Sequence, residues 1–269
     1  MGITPLNHPV LPLRSPHHQA PGRARRETCL RRAFFICVAL SPAGIGVAAV
    51  LIVCSLPAGC AASARQPAPV TSLHPGVQLH GGDQVHVQGQ VSCRHGWLEQ
   101  FVCARGSREH ESLVVTDAPP SVIHAALLAA GLTPGSPGTW KANAAGGVDA
   151  VPPVGDAVEV LVQWHQDGLD RITPIQIWAE RVRGGGAVAE PEFVFAGSRF
   201  DPAPAGEVYA ADRSGSVVGL VTFGDEVVAM RQVVPDQVDL APPVWRARTS
   251  AMPAEGHPVT VILRRRAVP

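Results

Sequence analysis

The chain has 269 residues and no formal net charge, because 22 basic residues balance 22 acidic ones. Its arginines are dispersed apart from a cluster before residue 33 and another at 264–266. This distribution lacks the basic patch typical of nucleic-acid-binding proteins, so we expect no nucleic-acid partner. The part that follows residue 60 is about 210 residues long, which is enough for one domain with its own core.

The first sixty residues have the order of an export signal. Residues 1–32 are rich in His, Pro and Arg and are predicted to form a disordered basic N-terminus. An uncharged, mostly apolar run follows at 33–53. Arginines stay on the cytoplasmic side while an apolar run enters the bilayer, so the rest of the chain is carried across. We therefore expect an exported, membrane-anchored protein that faces the periplasm or the cell exterior.

Segment 33–60 is a signal peptide with a lipobox or a membrane anchor. The run Leu56-Pro57-Ala58-Gly59-Cys60 resembles the lipobox of bacterial lipoproteins, which implies that the Cys60 thiol is acylated and becomes the first residue of the mature chain. That motif normally has leucine three residues before the cysteine, where this chain has Pro57. The alternative is an uncleaved signal anchor, because 33–53 approaches the roughly 20 apolar residues that span a bilayer.

The residues Arg31, Arg32 and Phe34 resemble a twin-arginine export motif. This resemblance implies export of an already folded protein, and the alternative is the general secretory route.

The remaining sequence predicts a linker at 61–83 and one domain at 84–269. Alternating apolar residues predict a strand at 85–93, with 97–104 as its hairpin partner across His95 and Gly96. Two prolines followed by Ser121, and Gly131 after the apolar run, predict a helix over about 121–130. Further strands are predicted at 113–116, 157–164, 171–178, 192–196, 207–211, 216–223, 226–233 and 258–263. We expect an α+β fold with a mostly antiparallel sheet and this one helix.

The exported part contains two cysteines, Cys93 and Cys103. The predicted hairpin separates their sulfur atoms by about 15 Å along the strands, which exceeds the reach of a disulfide. We expect both thiols to be free.

One group of residues carries side chains that can bind a metal or act in catalysis. Glu99 and Cys103 share a face of their predicted strand, His110 and Glu111 follow a Gly-Ser turn, and His124 lies on the helix. Thiolate, imidazole and carboxylate groups are ligands for zinc or another divalent metal, so Cys103, His110, Glu111 and His124 form a candidate metal site. Alternatively, His110 or His124 deprotonates Cys103 as the nucleophile of a redox or hydrolytic enzyme. The third interpretation gives these side chains packing roles alone.

Several motifs resemble the YdjY-type domain, an exported bacterial family of unassigned function. They are 106–112 (GSREHES), 124–135 (HAALLAAGLTPG), Leu98-Glu99 with Cys103, 193–198 (FVFAGS) and 209–212 (YAAD). The resemblance covers roughly 84–263. Some members of that family have been called ferredoxin-like, but an iron–sulfur cluster usually needs about four closely spaced thiolates. With two cysteines ten residues apart, we expect no iron–sulfur cluster.

These observations predict an exported, membrane-anchored lipoprotein whose domain acts as a binding module with a candidate metal site. The first alternative is an exported redox or hydrolytic enzyme that uses Cys103. The second is an envelope scaffold without a small-molecule site. The sequence identifies no protein partner.

Overall fold

A computed structural model describes residues 68–182, 192–236 and 243–267, all within a compact unit formed by Ser63–Pro269. The predicted export-signal residues Arg31, Arg32 and Phe34, and the lipidation candidate Cys60, lie outside the described residues. In the described ranges, no helix is long and apolar enough to cross a membrane.

The structure consists mainly of β-strands. They are β1 (Val70–His74), β2 (Val77–His80), β3 (Gln84–Val91), β4 (Trp97–Leu98), β5 (Gln100–Ala104), β6 (Ser112–Thr116), β7 (Pro134–Ser136), β8 (Thr139–Ala142), β9 (Val148–Val151), β10 (Val154–Gly155), β11 (Ala157–Gln166), β12 (Leu169–Pro174), β13 (Ala179–Arg181), β14 (Phe193–Phe195), β15 (Phe200–Ala203), β16 (Gly206–Tyr209), β17 (Ser216–Gly219), β18 (Val228–Met230), β19 (Trp245–Ala247) and β20 (Pro258–Arg265). The α-helices are α1 (Pro120–Ala129) and α2 (Ala210–Ser214). Short 3-10 turns lie at Glu109–Glu111, Ile175–Trp178 and Thr249–Ala251.

Eight strands form a closed barrel in the order β3-β20-β11-β14-β18-β17-β5-β6. Closure comes from β6, which pairs with β5 on one side and with β3 on the other. The neighbours β5–β6 and β17–β18 are parallel, and the other barrel pairs are antiparallel. Outside this circuit, β1 and β2 extend the sheet from β3, and β12 pairs with β11.

Alternation along the strands fills the barrel interior. Val87, Val261 and Val162 form one cross-strand row, and Val85, Leu263 and Val160 form the next. All six side chains are buried. β-branched residues at every second position suit a pleated surface with one buried face, and closing the sheet removes the edges of these central strands.

The α+β prediction is wrong, because the fold is mostly β and is built around the barrel. The helix predicted at 121–130 is present at 120–129, but it is the only sizeable helix in the described part of the chain and does not form a layer of its own. The barrel closes through pairings between strands that lie far apart in sequence, and alternation within a single strand contains no information about them.

The predicted hairpin of 85–93 with 97–104 does not form. Strand β6 lies between β3 and β5, and the chain beyond Val91 continues this pairing through Ser92 N–H and Cys93 N–H, which donate to Leu113 and Ser112 carbonyls. Strand β4 instead pairs with β19. All of β6 is buried, which explains its position between two strands. Cys93 and Cys103 are nevertheless both free, so that prediction is confirmed.

The stretch 61–83 was predicted to be a linker, yet its described part contains the β1–β2 hairpin. Pro75 and Gly76 form its turn, and the positive φ of Gly76 (80°) is the conformation that a type II turn requires after proline. Val77 is fully buried. Among the Pro and Gly residues that suggested a linker, Pro75, Gly76, Gly81 and Gly82 are turn residues.

Helix α1 packs against β2, β3 and β17. Pro120 occupies its first turn, where the absent N–H costs nothing. Gly131 ends it with φ 80°, and the N–H groups of Gly131 and Leu132 donate to the Leu128 and Leu127 carbonyls, as in a Schellman motif. The buried face is Ile123, Ala126, Leu127 and Ala130, whereas Leu128 is exposed.

Candidate functional site

Cys103 is enclosed by the loop that follows it. The side chain is fully buried on β5, and the Ser107 and Ser112 hydroxyls and the Arg108 backbone lie at its sulfur. Burial raises the pKa of the Cys103 thiol, and the nearby hydrogen-bonding groups offset this only in part. The thiol therefore lies in surroundings that favour its neutral form, and neither His110 nor His124 is among the groups that hold it.

His124 belongs to a different cluster. Its Nδ1 lies 2.8 Å from the Tyr209 hydroxyl, which in turn donates to the Gly197 carbonyl at 3.0 Å. The imidazole also contacts the Phe195 ring edge-to-face, with the centroids 4.9 Å apart. Burial lowers the pKa of His124, which favours the neutral ring. These contacts connect α1 to the segments around β14 and β16.

His110 points away from both clusters. Its side chain is 75% exposed, and its Nε2 lies 3.8 Å from Oε1 of Glu111. Among the described residues, no group of three or more His, Cys, Asp or Glu side chains is placed to hold a metal ion. The metal site proposed for Cys103, His110, Glu111 and His124 gains no support from this arrangement and stays a prediction.

The structure does bring together Glu99 and Glu111. Glu99 lies between β4 and β5, where its N–H donates to the Glu111 carbonyl and its own carbonyl accepts from Leu220 and Val221. Burial, followed by the hydrogen bond to the Glu111 carboxyl, raises the pKa of Glu99 to about 7. Arg108 opposes this rise, and Asp236 adds to it. The Glu99 carboxyl is therefore partly protonated near neutral pH.

The acidic pair borders a small cavity of about 100 Å³, which we call the acidic pocket. Its polar side is formed by Glu99, Glu111 and Asp236, and Trp97 lies at the same cavity with 49% of its surface exposed. The remaining lining residues are apolar: Leu98, Val221, Val234, Pro235, Pro243 and Val244. A cavity of this size accommodates one side chain or a small organic group rather than a drug-sized ligand, which needs at least about 300 Å³.

Arg108 is held beside the pocket by three side chains. Its guanidinium carbon lies 3.6 Å from the centroid of the Phe223 ring, and Nη1 donates to Ser216 Oγ at 3.3 Å. With the Gln100 amide oriented so that its oxygen faces the donors, Gln100 accepts from Arg108 Nη1 at 3.2 Å and from Ser216 Oγ at 3.0 Å. These contacts fix the guanidinium on Phe223, where it compensates the acidic pair only in part.

Glu226 organises the loop that carries Phe223. Its Oε1 accepts the N–H groups of Phe223 at 2.5 Å and Gly224 at 3.3 Å, and the residue is fully buried. Oε2 has no hydrogen-bond partner among the described residues. Burial raises the pKa of Glu226 to about 7. This carboxyl therefore positions the loop that holds Arg108.

Sequence reasoning selected Glu99 and Glu111 but missed Arg108, Asp236 and Glu226. Arg108 was visible in the motif 106–112, and the acidic pair Asp225-Glu226 before the apolar run 227–230 was the only signal for Glu226. No sequence pattern indicated Asp236, because its position at the pocket depends on the path of the chain after β18.

A family model, the YdjY domain, matches residues 82–264, which is more than half of the chain. The chain belongs to the YdjY domain family. The resemblance predicted from the sequence is therefore confirmed. No curated protein and no solved structure matches the chain. Within this YdjY domain, the acidic pocket draws on the motif 106–112 through Glu111, and His124 with Tyr209 joins the motifs that begin at those two residues.

Proposed function

We propose that this YdjY domain is an exported, membrane-tethered binding module that takes a positively charged group of its ligand into the acidic pocket. The observation that carries the proposal is the grouping of Glu99, Glu111 and Asp236 beside apolar walls, where Arg108 compensates the negative charge only in part. Burial and the neighbouring carboxyls raise the pKa of Glu99, and a bound cation would offset this cost of holding the ionised form.

The shape and composition of the pocket favour an organic cation with an apolar stem, such as an alkylammonium group. Leu98, Val221 and Val234 are buried walls against which methylene groups can pack. Trp97 offers an exposed indole ring, and aromatic faces attract cations. Arg108 is already fixed on Phe223 and is not free to neutralise the pair completely.

The alternative of an exported enzyme that uses Cys103 gains less support. A nucleophilic cysteine needs access and a lowered thiol pKa, whereas Cys103 is fully buried and the pKa of its thiol is raised. The alternative of an envelope scaffold without a ligand remains the competing hypothesis, and the pocket experiment distinguishes it from binding.

The test is titration of the full-length protein with n-butylammonium and, as an uncharged probe of similar shape, n-butanol. Perturbation of the Trp97 indole signal in NMR spectra reports binding. We expect the ammonium to bind at least about tenfold more tightly than the alcohol, and Glu99→Gln to remove most of this preference. Glu207→Gln, which changes an exposed carboxyl on β16, is the matched control.

The pH dependence gives a second readout. The cation binds the ionised carboxyl pair, so affinity should fall by up to about tenfold per pH unit as the pH drops below about 7. Equal affinities for the two probes, unaltered binding by Glu99→Gln, or no binding of either probe would overturn the proposal and favour the scaffold.

A further inference from the structure

Strands β8 and β9 form a hairpin whose residues are nearly all exposed. Residues 139–142 and 148–150 are exposed, and only Val151 is partly covered. The turn is closed by Asn143, whose Oδ1 accepts the N–H groups of Ala145 and Gly147 and whose Nδ2 donates to Asp149 at 2.9 Å. The hairpin thus depends on its own hydrogen bonds, although a two-stranded hairpin is only marginally stable in water without packing.

The register gives this hairpin one apolar face. Trp140 pairs with Ala150 and Ala142 with Val148, and cross-strand partners point to the same side of a sheet. The charged residues Lys141 and Asp149 pair with each other on the opposite side. Trp140 is 41% exposed and Val148 is 61% exposed. This face, which we call the Trp140 face, carries no charged side chain, and all four of its residues are exposed.

We propose that the Trp140 face docks onto the lipid surface of the membrane to which the protein is tethered. This inference rests on the proposed tether. The Trp140 face offers only four side chains, three of them small, whereas a stable protein interface buries about 800 Å² on each partner. A patch of this size is too small to hold a separate protein. Contact with a membrane to which the chain is already linked is effectively intramolecular, so it needs little additional free energy.

The chemistry of the face also matches a bilayer interface. Tryptophan is enriched at the boundary between headgroups and acyl chains, where its ring is apolar and its N–H remains hydrated. Ala68, the first described residue, comes only eight positions after Cys60, and even a fully extended chain spans at most about 30 Å over that length. If Cys60 is acylated, the domain cannot leave the vicinity of the lipid surface. Docking of the hairpin would then fix the orientation of the domain on the membrane.

The test uses the full chain reconstituted into vesicles of phosphatidylethanolamine and phosphatidylglycerol at a ratio of about three to one, as a composition rich in interfacial anionic lipid. Acyl chains brominated near the interface quench tryptophan fluorescence on contact. The five tryptophans all lie at or beyond residue 97, so no signal comes from the anchor segment. We expect brominated vesicles to quench part of the emission, and Trp140→Phe to remove most of that quenching.

Trp97→Phe is the matched control, because Trp97 is another exposed indole and is 49% exposed. Val148→Asp, on the same face as Trp140, should also reduce the quenching.

Flotation of the vesicles separates the two proposals. A chain that floats without quenching retains its tether and overturns the docking inference, as does quenching that survives Trp140→Phe. A chain that does not float overturns the tether and the docking together. If Trp140→Phe instead dissociates an oligomer, the face binds a second copy and the lipid proposal is wrong.

Discussion

Two buried or half-buried carboxyl groups near the same loop have pKa values raised to about 7, and they have different roles. Glu99 faces a cavity and another carboxyl, whereas Glu226 accepts hydrogen bonds from the backbone of its own loop. Both pKa shifts arise first from burial. Only Glu99 can exchange its proton for a ligand. Substitution of Glu226 should therefore change stability without changing binding directly.

Replacing Glu226 with glutamine should change how stability depends on pH. The pKa of Glu226 rises from 4.5 to about 7 on folding, so its stabilising contribution is complete below about pH 4.5 and is lost as the pH rises through 7. A glutamine side chain at this position is neutral at every pH and does not show this loss. We expect Glu226→Gln to be more stable than the unmutated protein at pH 8, by roughly 3 kcal/mol, and similar to it at pH 4.

Urea denaturation at several pH values measures this effect, with Glu207→Gln as the exposed control. A stability difference that stays constant from pH 4 to pH 9 would contradict the assignment of a buried, protonated Glu226.

The two histidines in the candidate metal set should act independently. His110 is exposed, so His110→Ala should change the free energy of unfolding by less than about 0.5 kcal/mol. His124→Ala should cost about 2 kcal/mol, because the Tyr209 hydroxyl loses a partner and Phe195 loses a ring contact. We expect the double variant to lose the sum of the two within about 0.5 kcal/mol.

Urea denaturation of the two single variants and the double variant, together with elemental analysis of the unmutated protein, measures this independence. A coupling above about 1 kcal/mol together with stoichiometric zinc would instead support the metal site suggested by the sequence.

At the scale of the element, helix α1 receives its N-terminal cap from another helix. Its N-cap residue is Pro119, which offers no side-chain hydrogen bond. The Asp212 carboxylate of α2 instead accepts the Ser121 N–H at 2.8 Å. A carboxylate at this end also interacts favourably with the helix dipole. The motif 209–212 thus stabilises the start of the motif-bearing helix, although the two are far apart in sequence.

Substitution of Asp212 should weaken this helix. We expect Asp212→Ala to lower the free energy of unfolding by about 1 kcal/mol, and Asp212→Asn to lower it less because the amide oxygen still accepts. Equilibrium denaturation followed by far-UV circular dichroism measures the change. Asp83→Asn, in an exposed turn, is the control for loss of one negative charge. Equal effects at Asp212 and Asp83 would show that the cap contributes nothing.

At the scale of the whole molecule, barrel closure depends on a close approach at Gly89. A Cβ atom added there would lie 2.7 Å from the Val115 carbonyl oxygen and 2.8 Å from Val114 Cγ1, both on β6. These atoms are backbone or buried side chain and cannot move aside freely. The absence of a side chain at residue 89 therefore allows β3 and β6 to pair and the barrel to close.

Introducing a methyl group at this position should open or strain the barrel. We expect Gly89→Ala to destabilise the fold by about 3 kcal/mol through overpacking. Gly96→Ala, where the added atom meets nothing but φ is 95°, should show the smaller cost of backbone strain alone, about 1 kcal/mol. Thermal denaturation compares the two. A Gly89→Ala variant as stable as Gly96→Ala would contradict the tight closure.

The sequence predicted the strands and the helix whose formation depends on residues that are close together in the chain. Alternation located β3, and proline with glycine located α1, because these signals act within one element. Closure was missed, since β6 pairs with β3 across more than twenty residues and β20 with β3 across more than one hundred and sixty. For the site, the metal set of Cys103, His110, Glu111 and His124 stays a prediction, whereas the contact between Glu99 and Glu111 is present in the structure. His124 contacts Tyr209 at the end of β16, and no local sequence pattern indicates this contact between distant segments.

Because β20 lies between β3 and β11, the barrel cannot close before this late segment of the chain is available. Any length of chain that ends before residue 258 leaves both neighbours with unpaired backbone groups, and such edges attract other strands. Pairing of β20 with β3 must also wait for a loop of almost the whole domain to close, which slows folding. A nascent chain thus stays open until β20 is available. During that interval the exposed strand edges make the chain prone to aggregation.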